Sequence, residues 1–204
     1  MKSKLTTQAR FLSELVKKHD LKVGAELGVY QGKTSLHLLE NHPELKMYLI
    51  DIWNKIHWLP KEKFIPGSEL YVHYDQKKNE KMCRSGCLKY GKRATIFKAV
   101  SWESATFFPD NFLDFVFIDA VHSEEGVARD IMAFYPKVKV GGWITGHDLH
   151  FPAVELAVKE LLGTYEEYDV YCWYHQKQSE DKPWNENECR YLKLLLPSMA
   201  CEPE

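Results

Sequence analysis

Five short apolar runs set apart by helical patterns constrain this chain more than any other feature. They are KVGAEL (22–27), KMYLIDIW (46–53), ATIFKAV (94–100), FLDFVFIDA (112–120) and GGWITGHD (141–148). Amphipathic or capped helical patterns occupy 33–42, 73–91, 123–138 and 153–163. An opening helix over 1–20 is marked by Leu5, Ala9, Leu12, Leu15 and Val16 at helical spacing. Strands that are nearly continuous apolar runs, with helices between them, imply a parallel sheet covered on both faces. Two further runs, EYDVYCWYH (167–175) and CRYLKLLLP (189–197), lack an obvious helix between them, which predicts an antiparallel pair at one edge. The 204 residues suit one domain, read here as residues 1–204.

Composition excludes some partners. A formal net charge of −2 gives no electrostatic reason to expect nucleic acid or a membrane surface. No apolar run approaches the ~20 residues of a membrane span, and the first residues, MKSKLTTQARFLSELVKKHD, lack an uninterrupted apolar core, so a cytoplasmic location is the expectation. Five scattered cysteines make neither a disulfide framework nor a zinc site, and Cys83-x-x-x-Cys87 reads as free thiols.

In an open parallel sheet, ligands bind beyond the carboxyl ends of the strands. Here those ends carry Glu26-x-Gly28-x-x-x-Gly32, Asp51, Ser101, Asp119 and His147-Asp148. The loop GVYQGKTS resembles a phosphate loop only superficially: its two glycines are separated by three residues rather than four. Gly28 lets the chain turn out of the strand and Gly32 lets the next helix begin close to a ligand. A Glu26 carboxylate aimed into the loop would repel a pyrophosphate and would favour a cofactor with an ammonium and a sulfonium, as S-adenosylmethionine has. The bland alternative for Glu26 is a carboxylate capping nearby backbone amides. Asp51, about 20 residues beyond Gly28, matches the acid that accepts from ribose hydroxyls in adenosine cofactors.

The ordered set AELGVYQGKTSLHLL, YLIDIW, KAVSWESA, FLDFVFIDAVHSEEGVARDI and KVGGWITGHDL resembles the successive motifs of class I S-adenosylmethionine-dependent methyltransferases. The likeness is greatest to their small-molecule O-methyltransferase branch and covers about residues 22–163. The resemblance implies an α/β, Rossmann-like methyltransferase fold: a seven-stranded, mostly parallel sheet of order 3-2-1-4-5-7-6, helices on both faces and an antiparallel edge strand. It implies that Glu26, Gly28, Gly32 and Ser35 line the methionine end of the cofactor and Asp51 its ribose. Ile52 and Trp53 would flank the adenine, Val100, Ser101 and Trp102 would cover or bond it, and Asp119-Ala120 would close the lining.

In the metal-dependent branch of that family, an acid ending the fourth strand and an Asp-Asn pair ending the fifth hold magnesium, and a lysine three residues after the first acid takes the proton. This chain keeps the acid as Asp119, replaces the pair with His147-Asp148 and puts His122 in the lysine's place. His122 is thus the candidate general base, with Asp119 and His147 beside it, because an imidazole titrates near physiological pH. His150 could substitute for it. Asp119, His147 and Asp148 are the candidate ligands of a divalent metal, magnesium or, given the histidine, manganese. The metal-free alternative is a His147-Asp148 pair that only braces the strand end.

The expected acceptor is a small molecule, a sugar or an aromatic natural-product moiety, selected by the stretches 54–75 and 176–188. Trp53, His57, Trp58, Tyr71, Tyr74 and Trp184 are expected to roof the pocket. A homodimer or lid contact would fall to the opening helix. The competing readings are an N-methyltransferase of the same fold, an NAD-dependent oxidoreductase, a non-catalytic cofactor-binding domain and, weakest, a P-loop nucleotide hydrolase.

Overall fold

The computed structural model describes residues 5–54, 75–179, 184 and 189–191. Its centre is a sheet of seven strands: β1 (Val23–Leu27), β2 (Lys46–Asp51), β3 (Ala94–Lys98), β4 (Leu113–Ile118), β5 (Val138–Gly146), β6 (Glu166–Glu167) and β7 (Trp173–Gln176). Their order is β3-β2-β1-β4-β5-β7-β6, as expected, with β7 antiparallel to both neighbours and β1 to β5 parallel.

The period-2 alternation of the strands feeds two cores. Ala25, Leu27, Ile50, Val116, Ile118 and Ile144 face a cluster completed by helices α4 (Glu124–Phe134) and α5 (Pro152–Leu162). Met47, Leu49, Phe115, Phe117 and Trp143 face the other, completed by α1 (Thr7–His19), α2 (Lys33–Asn41) and α3 (Gln76–Cys87). Helices α3 and α4 start at a side chain that accepts from an unpaired first-turn amide, and α5 starts at a proline that has no amide to satisfy. Asp75 accepts from Lys78 N (3.0 Å), Ser123 accepts from Gly126 N (3.1 Å), and Pro152 opens α5. Helix α1 spends its apolar face inside the molecule, burying Phe11, Leu12, Leu15 and Val16, with Phe11 tilted against Tyr168 and Tyr174.

Two strand boundaries differ from the expectation. β5 begins at Val138 rather than Gly141, because the glycine pair is a bulge and not a loop. Gly141 sits at φ 80°, and a side chain on Gly142 would stand 2.7 Å from the Asp114 carbonyl oxygen, where the pairing with β4 shifts register. The run 167–175 is not one strand: Asp169 Oδ1 accepts from Tyr171 N and Cys172 N (2.8 and 2.9 Å), a turn that folds it into β6 and β7. The second expected edge strand, 189–197, falls mostly outside the described residues; Cys189, Arg190 and Tyr191 are not in a strand.

Candidate active site

Register brings the carboxyl ends of the strands into one line. Leu27 pairs with Ile50 on one side and Ile118 on the other, and Ile118 pairs with Gly146, so Gly28, Asp51, Asp119 and His147 follow at the same edge. Backbone bonds continue the line past the strands: Gly28 N to Ile50 O (2.9 Å), Asp119 N to Leu27 O (2.8 Å) and His147 N to Ile118 O (3.0 Å). Three non-glycine residues here adopt positive φ: Tyr30 (54°), Trp53 (37°) and Asp148 (59°). Such conformations cost energy and concentrate at functional sites.

Asp51 organises the loop after β1. Its two carboxylate oxygens accept from Tyr30 N and Trp53 N (2.7 Å each), and burial raises its pKa against those bonds. Trp53 is buried and donates through Nε1 to Tyr30 O (2.8 Å), clasping the loop from the β2 side. Glu26 takes the capping role. It is fully buried and accepts from both the hydroxyl and the backbone N–H of Ser35, so it satisfies an α2 amide that Gly32 as N-cap has no side chain to reach. Burial outweighs those bonds and pushes the Glu26 carboxyl up to about 8, so it is neutral at pH 7 in this state. That removes charge repulsion as an argument against phosphate and leaves the loop geometry to make it.

Ser101 is buried and Val100, Trp102, Ile52 and Ala120 are half-buried at the same edge. Ser101 and Trp102 lie at the start of a 3-10 turn (Trp102–Phe107) that packs on α4, where the Arg129 guanidinium covers the Trp102 ring at 5.1 Å.

Beside the loop after β1 lies a cluster of acids and imidazoles. His122 Nε2 stands 2.9 Å from Asp148 Oδ2 and 3.6 Å from Asp119 Oδ1. His147 Nδ1 stands 3.2 Å from Asp148 Oδ1 and 3.7 Å from Asp119 Oδ1, and His150 Nδ1 is 3.8 Å from Asp148 Oδ1. Burial works against a charge on His122, but Asp119 and Asp148 overcome it and raise its pKa to about 9. The same balance raises His147, chiefly through Asp148, while His122 and His147 hold Asp148 well below the usual carboxylate range despite its burial. His122 Nε2 thus lies between two carboxylates, closer to that of Asp148, and both favour its protonated form.

Among the described residues, potential ligand atoms of Asp119, His122 and Asp148 all lie within 4.8 Å of one another. That group takes His122 where the sequence pointed to His147, which flanks it. Aromatic rings wall the cluster: Phe151 stacks on His122 (5.8 Å) and meets His150 (4.1 Å), and Tyr171 stacks on His147 (5.9 Å). Sequence reasoning missed Phe151 and Tyr171; Phe151 follows His147-Asp148-Leu149-His150 directly, which was the available signal. Trp184 packs edge-on against Tyr135 (5.4 Å), next to the start of β5 and at the opposite end of the sheet, so it does not roof this site. His57, Trp58, Tyr71 and Tyr74, with the rest of the 54–75 stretch beyond Asn54 and Asp75, lie outside the described residues. So do Glu180–Pro183 and Asn185–Glu188 of the 176–188 stretch, whose first residue, Gln176, instead ends β7.

The strand order β3-β2-β1-β4-β5-β7-β6 with β7 reversed is that of the Rossmann-like methyltransferase fold. Residues 25–149 match the model of a methyltransferase domain family, and the chain belongs to that family. It is an S-adenosylmethionine-dependent methyltransferase. No curated protein matches the sequence. Among solved structures, the chain superposes on the O-methyltransferase NovP with a TM-score of 0.64 and 18% identity, covering 84% of this chain and 78% of that one. TomG of Streptomyces achromogenes, an O-methyltransferase involved in tomaymycin synthesis and solved with S-adenosylmethionine, superposes with a TM-score of 0.59 at 12% identity over 87% and 82%. CalS11, a TDP-rhamnose 3'-O-methyltransferase of calicheamicin biosynthesis, gives 0.54 at 14% over 81% and 77%. These likenesses establish the fold. Among the described residues no helix is long and apolar enough to cross a membrane.

Proposed function

We propose that the protein methylates a hydroxyl of a small acceptor, a sugar or an aromatic moiety, with the transfer taking place beside Asp119, His122 and Asp148. The observation that carries this reading is the convergence of two carboxylates and an imidazole at the strand edge next to the cofactor loop. Methylation at nitrogen needs no such proton-handling centre. That CalS11 is a TDP-rhamnose 3'-O-methyltransferase and TomG an O-methyltransferase involved in tomaymycin synthesis supports a small hydroxylated acceptor.

In this reading Glu26, Gly28, Gly32 and Ser35 hold the methionine end of the cofactor, Asp51 the ribose, and Ile52, Trp53, Val100, Ser101, Trp102 and Ala120 the adenine. Asp119, Asp148 and a nitrogen of His122 or His147 fit a divalent cation, and the mixed oxygen and nitrogen donors suit manganese at least as well as magnesium. Such an ion would lower the pKa of an acceptor hydroxyl and polarise it for attack. Asp119 and Asp148 are what keep the proton on His122. His122 becomes a proton acceptor when those carboxylates are engaged elsewhere, which makes its role as base conditional on occupancy of the acid pair. Phe151 brings apolar surface to the cluster and the buried Trp53 to the loop after β1.

The test follows methyl transfer from labelled S-adenosylmethionine to a panel of phenols, catechols and nucleotide sugars, with and without chelator. The reading expects turnover on a hydroxylated acceptor, loss with chelator, recovery with manganese, and strong loss in His122→Ala. Transfer only to amines, or full activity in Asp148→Ala, would overturn it.

A further inference from the structure

The small net charge conceals a large local one on helix α3 and the turn that follows it. Residues 76–93 hold seven cations against the single carboxylate of Glu80, in a chain whose net charge is −2. Three of the seven are engaged inside the molecule. Arg84 pairs with Glu80 and Lys89 with Glu40, while Arg93 donates to the carbonyls of Leu39, His42 and Leu45. Lys77, Lys78, Lys81 and Lys92 are exposed, and among the described residues no carboxylate lies within ion-pair distance of them. Lys77, Lys81, Arg84 and Leu88 recur at spacings of four, three and four, which puts them on one stripe of the helix, and Lys78, Met82, Ser85 and Lys89 run beside them. Leu88 continues the helical backbone (φ −51°, ψ −42°) and is 80% exposed, and Met82 is exposed as well. This arrangement works against its own helix. Lys77 and Lys81 set like charges four residues apart, and Lys77 and Lys78 stand in the first turn, where the helix end is positive and no acid follows the Asp75 cap. Local rules broken without compensation inside the chain point to an anion outside it.

We propose that the outer face of α3 is a docking surface for an anionic lipid membrane. Its lysines would lie against lipid headgroups while Leu88 and Met82 enter the interface. Twelve helical residues present a ridge about 18 Å long. Unpaired lysines spread along that ridge, around two separate apolar side chains, match a flat and laterally fluid anionic surface; a shaped protein partner would call for one clustered anchor. Each lysine near such a surface is worth about fivefold in binding, so the four together are worth on the order of several hundredfold. The inner face of the same helix holds the loop after β1. Asn79 Oδ1 accepts from Gln31 Nε2 (3.1 Å), and Cys83 Sγ lies 3.1 Å from the place a Cβ on Gly32 would take. The docking face therefore backs onto the candidate active site, although the proposal does not depend on the catalytic reading.

Cosedimentation of the full chain with vesicles tests this, using phosphatidylcholine alone and equal parts phosphatidylcholine and phosphatidylserine, at low and high salt. The wild-type protein is expected to bind only the anionic vesicles and to be released as salt screens them. Lys77→Glu with Lys81→Glu should weaken that binding by about thirtyfold or more, since two attractions are lost and two repulsions added. Lys78→Glu with Lys92→Glu should do the same, which keeps the test decisive if the first pair disturbs α3; circular dichroism checks that each variant is folded. Leu88→Ala should weaken binding without changing its salt dependence. Lys17→Glu with Lys18→Glu makes the same change in net charge on exposed positions of α1 and should leave binding unchanged. Equal losses in the α1 and α3 variants, or no binding of the wild-type protein to the anionic vesicles, would overturn the proposal. So would binding of a glutamate-rich helical peptide or of duplex DNA to this face in the absence of vesicle binding, which would assign the face to another class of partner.

Discussion

Replacing Gly28 with alanine separates two reasons for a glycine in the loop after β1. Gly28 sits at φ 86°, and a Cβ there would stand 2.0 Å from the Asp119 carbonyl oxygen and 2.6 Å from Ala120 Cα, both backbone atoms with no rotamer to move. The left-handed conformation costs an alanine about 1 kcal/mol. Relieving the overlap requires β1 and β4 to part at their carboxyl ends, which strains the Asp119 N to Leu27 O and Gly28 N to Ile50 O bonds, about 1 kcal/mol each. The sum is about 3 kcal/mol. Gly141 has a similar φ of 80° with nothing within 4 Å of its Cβ position, so Gly141→Ala should lose only the conformational part, about 1 kcal/mol. Urea unfolding at constant m-value measures both, and S-adenosylhomocysteine affinity should fall in Gly28→Ala and hold in Gly141→Ala. Equal losses of stability in the two variants would refute the packing of this loop against the end of β4.

Glu26→Gln should flatten the pH dependence of stability. Below its ordinary pKa of 4.5 both folded and unfolded chains hold the proton; between 4.5 and about 8 only the folded chain does, so stability falls as pH rises and the loss is complete above 8. The cost approaches about 5 kcal/mol at most; urea midpoints across that range should slope in the wild-type protein and not in the variant, and an equal slope in both would exonerate Glu26. In chelator-treated protein, Asp148→Asn should drop the His122 pKa from about 9 toward 6.5, read by NMR of the imidazole. His122 stabilises the fold fully below 6.5 and loses that contribution as pH rises through 9, so the variant should lose acid-side stability; titration still near 9 would remove Asp148 as the cause. Asp169→Ala removes the acceptor for Tyr171 N and Cys172 N and should cost about 1–2 kcal/mol in the same unfolding assay. No measurable change would mean that the Asp169 carboxylate does not hold the turn between β6 and β7.

Strands buried on both faces announce themselves by composition, which is why β1, β2 and β4 were legible within two residues of their ends. β5 was read short because Gly141-Gly142 is a turn signal in isolation, and only the register shift against β4 turns it into a bulge. The hairpin of β6 and β7 was hidden by the apolar content of EYDVYCWYH, although Asp169 was the available turn signal. At the site, residue identities were legible and charge states were not. Glu26 looked like an anion because its burial depends on α2 folding back over it, and its partner Ser35 lies nine residues away. His122 looked like a base because the two carboxylates that protonate it come from different strand ends.

The central claim is that the cofactor sits at this strand edge, with Asp51 at its ribose. Titration calorimetry of S-adenosylhomocysteine and NAD into the wild-type protein and Asp51→Ala tests it most directly. One saturable site for S-adenosylhomocysteine, lost or strongly weakened in Asp51→Ala, with no heat from NAD, is the predicted result. NAD binding in place of the sulfur ligand, or undiminished S-adenosylhomocysteine affinity in Asp51→Ala, would contradict it.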